Sequence, residues 1–156
     1  MLRPEALASF YVHGKASLVP ALLFFFEVHK IPVVYLPRSE EDKKLAEGFN
    51  AFIPKKPMNG LDLCYYSDAV LTGSGTMARE AACMGKPAVS FFPSKEFLSV
   101  DEQLISEGKM IHSRNAQEIG EYVLTHHKQK TSLDFTRSKK VKKEVIKVIK
   151  NIISNY

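Results

Sequence analysis

The chain has 156 residues and a mass of 17.6 kDa, which suits one ordinary domain and leaves no room for two well-packed ones. Hydrophobic residues at 45%, charged residues at 25%, and 8 Gly with 8 Pro are globular proportions that exclude collagen-like, mucin-like and wholly disordered chains. The net charge of +5 belongs to the end of the sequence: residues 1–130 hold 15 basic and 15 acidic residues, whereas residues 131–156 hold 7 and 2, weak support for nucleic-acid binding.

Short apolar runs alternate with helical segments along the chain, the pattern of βαβ units. Leu7 to Val12 reads as a first strand, His13-Gly14-Lys15 as the turn after it, and Ala16 to His29 as a helix apolar almost all round and therefore buried. Val33 to Leu36 is a second strand stopped by Pro37-Arg38. Ser39 before Glu40-Glu41-Asp42 marks a short helix start that ends at Gly48, because a hydroxyl cap and first-turn acids suit the positive end of the helix dipole.

Ala51-Phe52-Ile53 is a third strand closed by Pro54, Asn59 to Tyr66 a short helix, and Ala69 to Thr72 a fourth strand. A helix from Thr76 to Met84 ends at Gly85, with Pro87 beyond it, in the places a C-terminal cap requires. Ala88 to Phe92, then Val100 to Glu107 capped by Gly108, then Met110 to His112 give strand, helix and strand. Asn115 opens a helix to about His126, and a last helix runs from about Asp134 to Ile153.

Together these elements predict an α/β fold: a doubly wound, Rossmann-like parallel sheet of about six strands in three layers, α/β/α. The expected domains are a body over residues 1–130 and a basic amphipathic helix over residues 131–156. In such a sheet the ligand crevice lies at the carboxyl ends of the strands.

Cys64 and Cys83 have no His or Cys at metal-ligand spacing, so neither a zinc site nor a disulfide framework is indicated. Asp62, Asp68 and Asp101 are not clustered, and no metal site or cofactor is expected. The longest apolar run, Leu18 to Phe26, contains Pro20 and precedes Glu27, far short of the ~20 residues of a membrane span. Met1-Leu2-Arg3-Pro4-Glu5 lacks the apolar stretch of a signal peptide, so a cytoplasmic location is expected.

The most informative segment is Thr72-Gly73-Ser74-Gly75-Thr76, which follows a strand and opens a helix. Glycines allow close approach of an anion, while free N–H groups and the helix dipole favour negative charge there. Ser74 and Thr76 add hydroxyl donors, so a phosphate or diphosphate is the expected ligand group. The plainer alternative is a tight turn with Thr76 as the N-cap. Glu80 stands one helical turn beyond Thr76, on the same face and placed to accept from a ribose diol; its alternative is a solvated glutamate paired with Arg79 or Lys86. The segment is not a P-loop, and Ala78 replaces the third glycine of the dinucleotide fingerprint.

Gly73-Ser74-Gly75-Thr76 with Glu80-Ala81-Ala82 and Gly85-Lys86-Pro87 resembles the sugar-nucleotide signature in the C-terminal half of GT-B glycosyltransferases and of UDP-N-acetylglucosamine 2-epimerase. Asp68-Ala69-Val70 and Val100 to Leu104 extend the likeness. Leu2-Arg3-Pro4-Glu5, Leu36-Pro37-Arg38 and Thr76 to Glu80 bring it nearest an uncharacterised, largely archaeal family of predicted glycosyltransferases. The resemblance spans roughly residues 2–125.

It implies that Gly73, Ser74, Gly75 and Thr76 hold the diphosphate, that Glu80 holds the ribose, and that Phe52, Ile53 and Pro54 contact the base. It also implies that Gly14 approaches the phosphates from the other side. Arg38 after the second strand is a candidate phosphate ligand or a plain turn residue, and His13 a phosphate donor. Asp101 and Gln103 are candidates for sugar hydroxyls, with Asp101 as a helix N-terminal charge the alternative; Lys55 and Lys56 add positive potential. No catalytic residue emerges.

The expected function is that of a UDP-sugar-binding domain of a GT-B glycosyltransferase or epimerase relative, lacking the N-terminal acceptor half and incomplete for catalysis alone. The alternative is a non-catalytic subunit that recruits a partner chain or membrane through its basic terminal helix. Expected partners are UDP or a UDP-sugar, a chain supplying the N-terminal half, and a weak contact with an anionic membrane surface.

Overall fold

The computed structural model describes residues 1–6, 16–94, 97–127 and 136–154. The expected strand at Leu7 to Val12, the turn His13-Gly14-Lys15 and the helix start at Asp134 lie outside the described residues. The first described strand comes earlier than expected: β1 is Leu2–Arg3, followed by α1 (Val19–Val28), β2 (Val33–Val34), α2 (Glu40–Lys44), β3 (Ala51–Phe52), α3 (Gly60–Tyr66) and β4 (Val70–Thr72). The chain continues through α4 (Gly75–Cys83), β5 (Ala88–Ser90), α5 (Ser99–Ser106), β6 (Ile111–His112), α6 (Ala116–His126) and α7 (Thr136–Ser154).

All strand pairings are parallel, as expected when helices supply the crossovers. One ladder has the order β1-β4-β5-β6, and β2 pairs with β3 in a second. A parallel bridge between Leu2 and Tyr35 joins the two, reinforced by the Leu36 N–H donating to the Leu2 carbonyl at 2.9 Å. Across that bridge the strands run β3-β2-β1-β4-β5-β6, the doubly wound order whose direction reverses between β1 and β4.

Alternate strand residues point to opposite faces of a sheet, and two hydrophobic clusters follow from this. Leu71, Val89 and Phe91 join Leu22, Phe26, Ile119 and Val123 of α1 and α6. Val70 and Ala88 join Cys64, Met77, Ala78, Ala81 and Leu104 of α3, α4 and α5. Helices thus cover both sheet faces, the three-layer α/β/α arrangement. Gly120 of α6 is required by packing, because a Cβ there would overlap the Phe25 ring of α1.

The caps explain the helix boundaries. Ser39 Oγ accepts from the Asp42 N–H at 3.2 Å, Asn59 Oδ1 from the Leu61 N–H at 2.9 Å, and Asn115 Oδ1 from the Gln117 N–H at 2.9 Å, each satisfying an orphan first-turn donor. Gly85 (φ +70°) and Gly108 (φ +66°) end α4 and α5 in the left-handed region that glycine occupies without strain. Helix α1 departs from the expectation of an all-round buried helix: Phe24 is 63% and Val28 61% exposed, because only the face toward α6 and the sheet is covered.

Candidate functional site

The reversal between β1 and β4 opens a crevice at their carboxyl ends, the place where open α/β sheets bind ligands. A cleft of about 480 Å³ lies there, lined by Arg3 from the end of β1, Asn59, Gly60 and Leu61 from the start of α3, and Ser74, Thr76, Met77 and Glu80 from the start of α4. Two helix N-termini and one guanidinium therefore face the same space. That combination suits an anion.

The turn before α4 is divided in its use of backbone donors. The Gly73 N–H donates to the Arg3 carbonyl at 3.0 Å, and the Ser74 N–H to Thr72 Oγ1 at 2.9 Å. Thr72 Oγ1 also lies 2.9 Å from Ser74 Oγ, so this buried threonine fixes the turn. Ser74, not Thr76, occupies the N-cap position, yet its side chain caps no amide. Among the described residues none accepts from the N–H groups of Gly75, Thr76 or Met77, the first three donors of α4, which a helix cannot satisfy itself. The row of free backbone donors thus begins at Gly75, with Gly73 serving close packing: a Cβ on Gly73 would stand 2.5 Å from Glu5 Cα and N.

Glu80 lines the cleft together with Thr76. Neither suggested counter-ion holds it. Arg79 donates bidentately to Asp101, Nε to Oδ1 at 2.7 Å and Nη2 to Oδ2 at 2.8 Å, and Lys86 lies over the Tyr65 ring at 5.6 Å. Among the described residues Glu80 forms no ion pair, leaving its carboxylate available to a hydroxyl donor.

Arg3 is the cation of the cleft. Its Nη1 lies 3.0 Å from the Met77 sulfur, a weak acceptor. Its Nε is buried with no hydrogen-bond partner among the described residues, a vacancy that costs free energy unless a ligand fills it.

The structure brings Ser74, Thr76 and Glu80 together in the cleft lining, leaves Gly73 and Gly75 of the same turn outside that lining, and sets other candidates apart. Arg38 Nη2 donates to the Pro4 carbonyl at 2.9 Å and its Nε approaches Asp42 Oδ2 at 3.4 Å, so its fork braces the loop after β1 outside the cleft lining. Phe52 is exposed at the end of β3, and neither it nor Ile53 lines the cleft. Asp101 is engaged by Arg79, and Gln103 Nε2 donates to Glu107 Oε1 at 2.9 Å; both point their polar groups at protein partners. Gly14 and His13 lie outside the described residues.

Arg3, Asn59, Gly60 and Leu61 were not singled out by the sequence as site residues. The only local signal was Asn59 as a helix start. Their convergence on α4 depends on strand order, which no sequence spacing encodes. Among the described residues no group of His, Cys, Asp and Glu is arranged to hold a metal ion.

Two comparisons bear on kinship. The model of a protein family of unknown function, DUF354, matches residues 1–156. The uncharacterized protein MJ0665 of Methanocaldococcus jannaschii is 36% identical over 124 residues, which make up 79% of this chain and 36% of that relative. The matched region thus spans about a third of the curated relative's length. Both matches agree with the expected kinship to an uncharacterised family with archaeal members.

Proposed function

Because the chain belongs to the DUF354 family of proteins of unknown function, we propose from its own crevice that it is a nucleotide-sugar-binding domain, taking UDP or a UDP-sugar, of a GT-B-like glycosyltransferase or epimerase relative. The observation that carries this reading is the pairing of an uncapped α4 N-terminus with Arg3, whose Nε has no partner among the described residues, across one cleft that also holds Glu80. The amides of Gly75, Thr76 and Met77 and the Arg3 guanidinium take the diphosphate. Glu80 accepts from the ribose diol.

In the whole protein these donors favour bond cleavage between sugar and diphosphate, because negative charge grows on the departing diphosphate where fixed donors already point. No catalytic base is assigned, and the acceptor-binding half is supplied by a separate unit in this reading. Calorimetric titration of UDP and UDP-N-acetylglucosamine into the wild type and Glu80→Ala tests it. Wild type binds both, and Glu80→Ala binds roughly tenfold more weakly or worse. Equal affinity in the two proteins removes Glu80 from the ribose role, and no heat with either ligand in the wild type removes the whole reading.

A further inference from the structure

Among the described residues, helix α7 has an apolar face without a partner. Val141, Val145, Ile146, Val148, Ile149, Ile152 and Ile153 are each between 42% and 69% exposed, and no residue of α7 joins either hydrophobic cluster. At 100° per residue these seven positions fall on one side of the helix, while most of its lysines, among them Lys139, Lys143, Lys147 and Lys150, fall on the other.

The charge of this helix narrows what can cover the face. Its 19 residues carry 7 basic residues and one acid, Glu144, whereas all other residues together carry 15 basic and 16 acidic. The rest of the chain therefore offers a surplus of only one acid to attract it. The apolar groove at the opposite ends of the strands, lined by Phe26, Ile31 and Leu124, carries one Lys and one Asp, Lys30 and Asp68, and so offers a cationic helix no net attraction. Two copies of α7 packed face to face would bring two strongly positive helices within about 10 Å, where like charges repel.

A bilayer with anionic headgroups satisfies both requirements at once, since its acyl boundary takes the apolar face and its headgroups take the lysines. Among the described residues no helix is long and apolar enough to cross a membrane, so α7 is suited to lie in the interface plane. We propose that α7 is a reversible anchor for an anionic membrane surface. This inference does not depend on the ligand in the crevice.

Vesicle flotation of the full chain tests it, with vesicles of phosphatidylcholine alone and of phosphatidylcholine with roughly three parts in ten phosphatidylglycerol. The chain is expected to float with the anionic vesicles only, and to be released by about 0.5 M salt. Lys143→Glu/Lys147→Glu and Val145→Asp/Ile149→Asp are each expected to weaken binding at least roughly tenfold. Because these positions are exposed, an unchanged melting temperature and an unchanged circular-dichroism spectrum show that the variants fold.

Failure to float with anionic vesicles, or equal flotation with neutral ones, overturns the proposal. So does a concentration-dependent dimer in light scattering that Val145→Asp/Ile149→Asp abolishes, which would assign the face to a second copy. Capture of a single-stranded oligonucleotide without vesicle binding overturns it as well, as does a complex with the separate acceptor-half unit that Val145→Asp/Ile149→Asp abolishes and that vesicles do not compete for.

Discussion

Glu5 and Arg114, 109 positions apart in the chain, meet at 2.7 Å between Oε1 and Nη1. Glu5 is 1% exposed and also accepts from Ser17 Oγ at 2.8 Å and from the Leu18 N–H at 3.0 Å, where α1 begins. Arg114 donates in addition to the carbonyls of Phe91 and Ala16 at 2.8 and 2.9 Å. One ion pair thus joins the loops that follow β1, β5 and β6 to the entry of α1.

Removing one member leaves the other buried charge without compensation, the situation in which ion pairs matter most. Arg114→Ala is therefore expected to destabilise the fold by about 3 kcal/mol. Urea unfolding of Glu5→Gln, Arg114→Ala and the double variant measures the coupling. The double variant should lose clearly less than the sum of the singles, and strict additivity would show that the pair is not a unit.

The two glycines of the turn predict opposite costs. A Cβ on Gly73 meets the Glu5 backbone at 2.5 Å, whereas a Cβ on Gly75 meets Arg79 Nη2, the tip of a long side chain, at the same distance. Backbone cannot give way and a side-chain tip can. Gly73→Ala is expected to cost about 1–3 kcal/mol as strain, while Gly75→Ala costs under about 1 kcal/mol and moves Arg79 off Asp101. Thermal melts rank the two variants.

These residues also show what the sequence discloses. Ser74, Gly75, Thr76 and Glu80 form a local signal, since a strand, a glycine turn and a helix start adjoin within nine residues from Thr72 to Glu80. Helix caps at Ser39, Asn59 and Asn115 were legible for the same reason. β1 was not, because two residues hold too little periodicity. Arg3 reaches the cleft through the β1–β4 pairing, a contact across 68 or more positions. Asp101 offered a polar helix start, but its partner Arg79 was chosen by the packing of α4 on α5.

Cys64 gives the protein a definable alkaline response. Burial, with the Glu80 charge adding to it, pushes its thiol from 9.0 up to about 11. The folded state therefore keeps the proton that the unfolded state loses, so stability is intact below about pH 9 and falls as pH rises from about 9 to 11. The loss from this one group is about 2–3 kcal/mol. Cys64→Ala should flatten that part of the pH dependence in urea unfolding. In labelling with a thiol reagent at pH 8, exposed Cys83 reacts in the folded protein and Cys64 reacts only on unfolding.

Arg3 separates a ligand-binding role from a structural one. Its carbonyl holds the Gly73 N–H, an interaction that any residue retains, whereas among the described residues its side chain has only a sulfur for Nη1 and no partner for Nε. Arg3→Met keeps an unbranched apolar stem and removes the unsatisfied donor, so folded stability should hold or rise by up to about 1 kcal/mol. The same variant removes the charge facing the α4 N-terminus, and UDP affinity should fall at least roughly tenfold. Arg3→Lys should recover only part of that affinity, since a point charge replaces a planar fork. A residue kept for the fold would give the reverse pattern in paired melts and titrations, with a lower melting temperature and unaltered binding. Stability gained where affinity is lost is the mark of a side chain held in readiness for an anion.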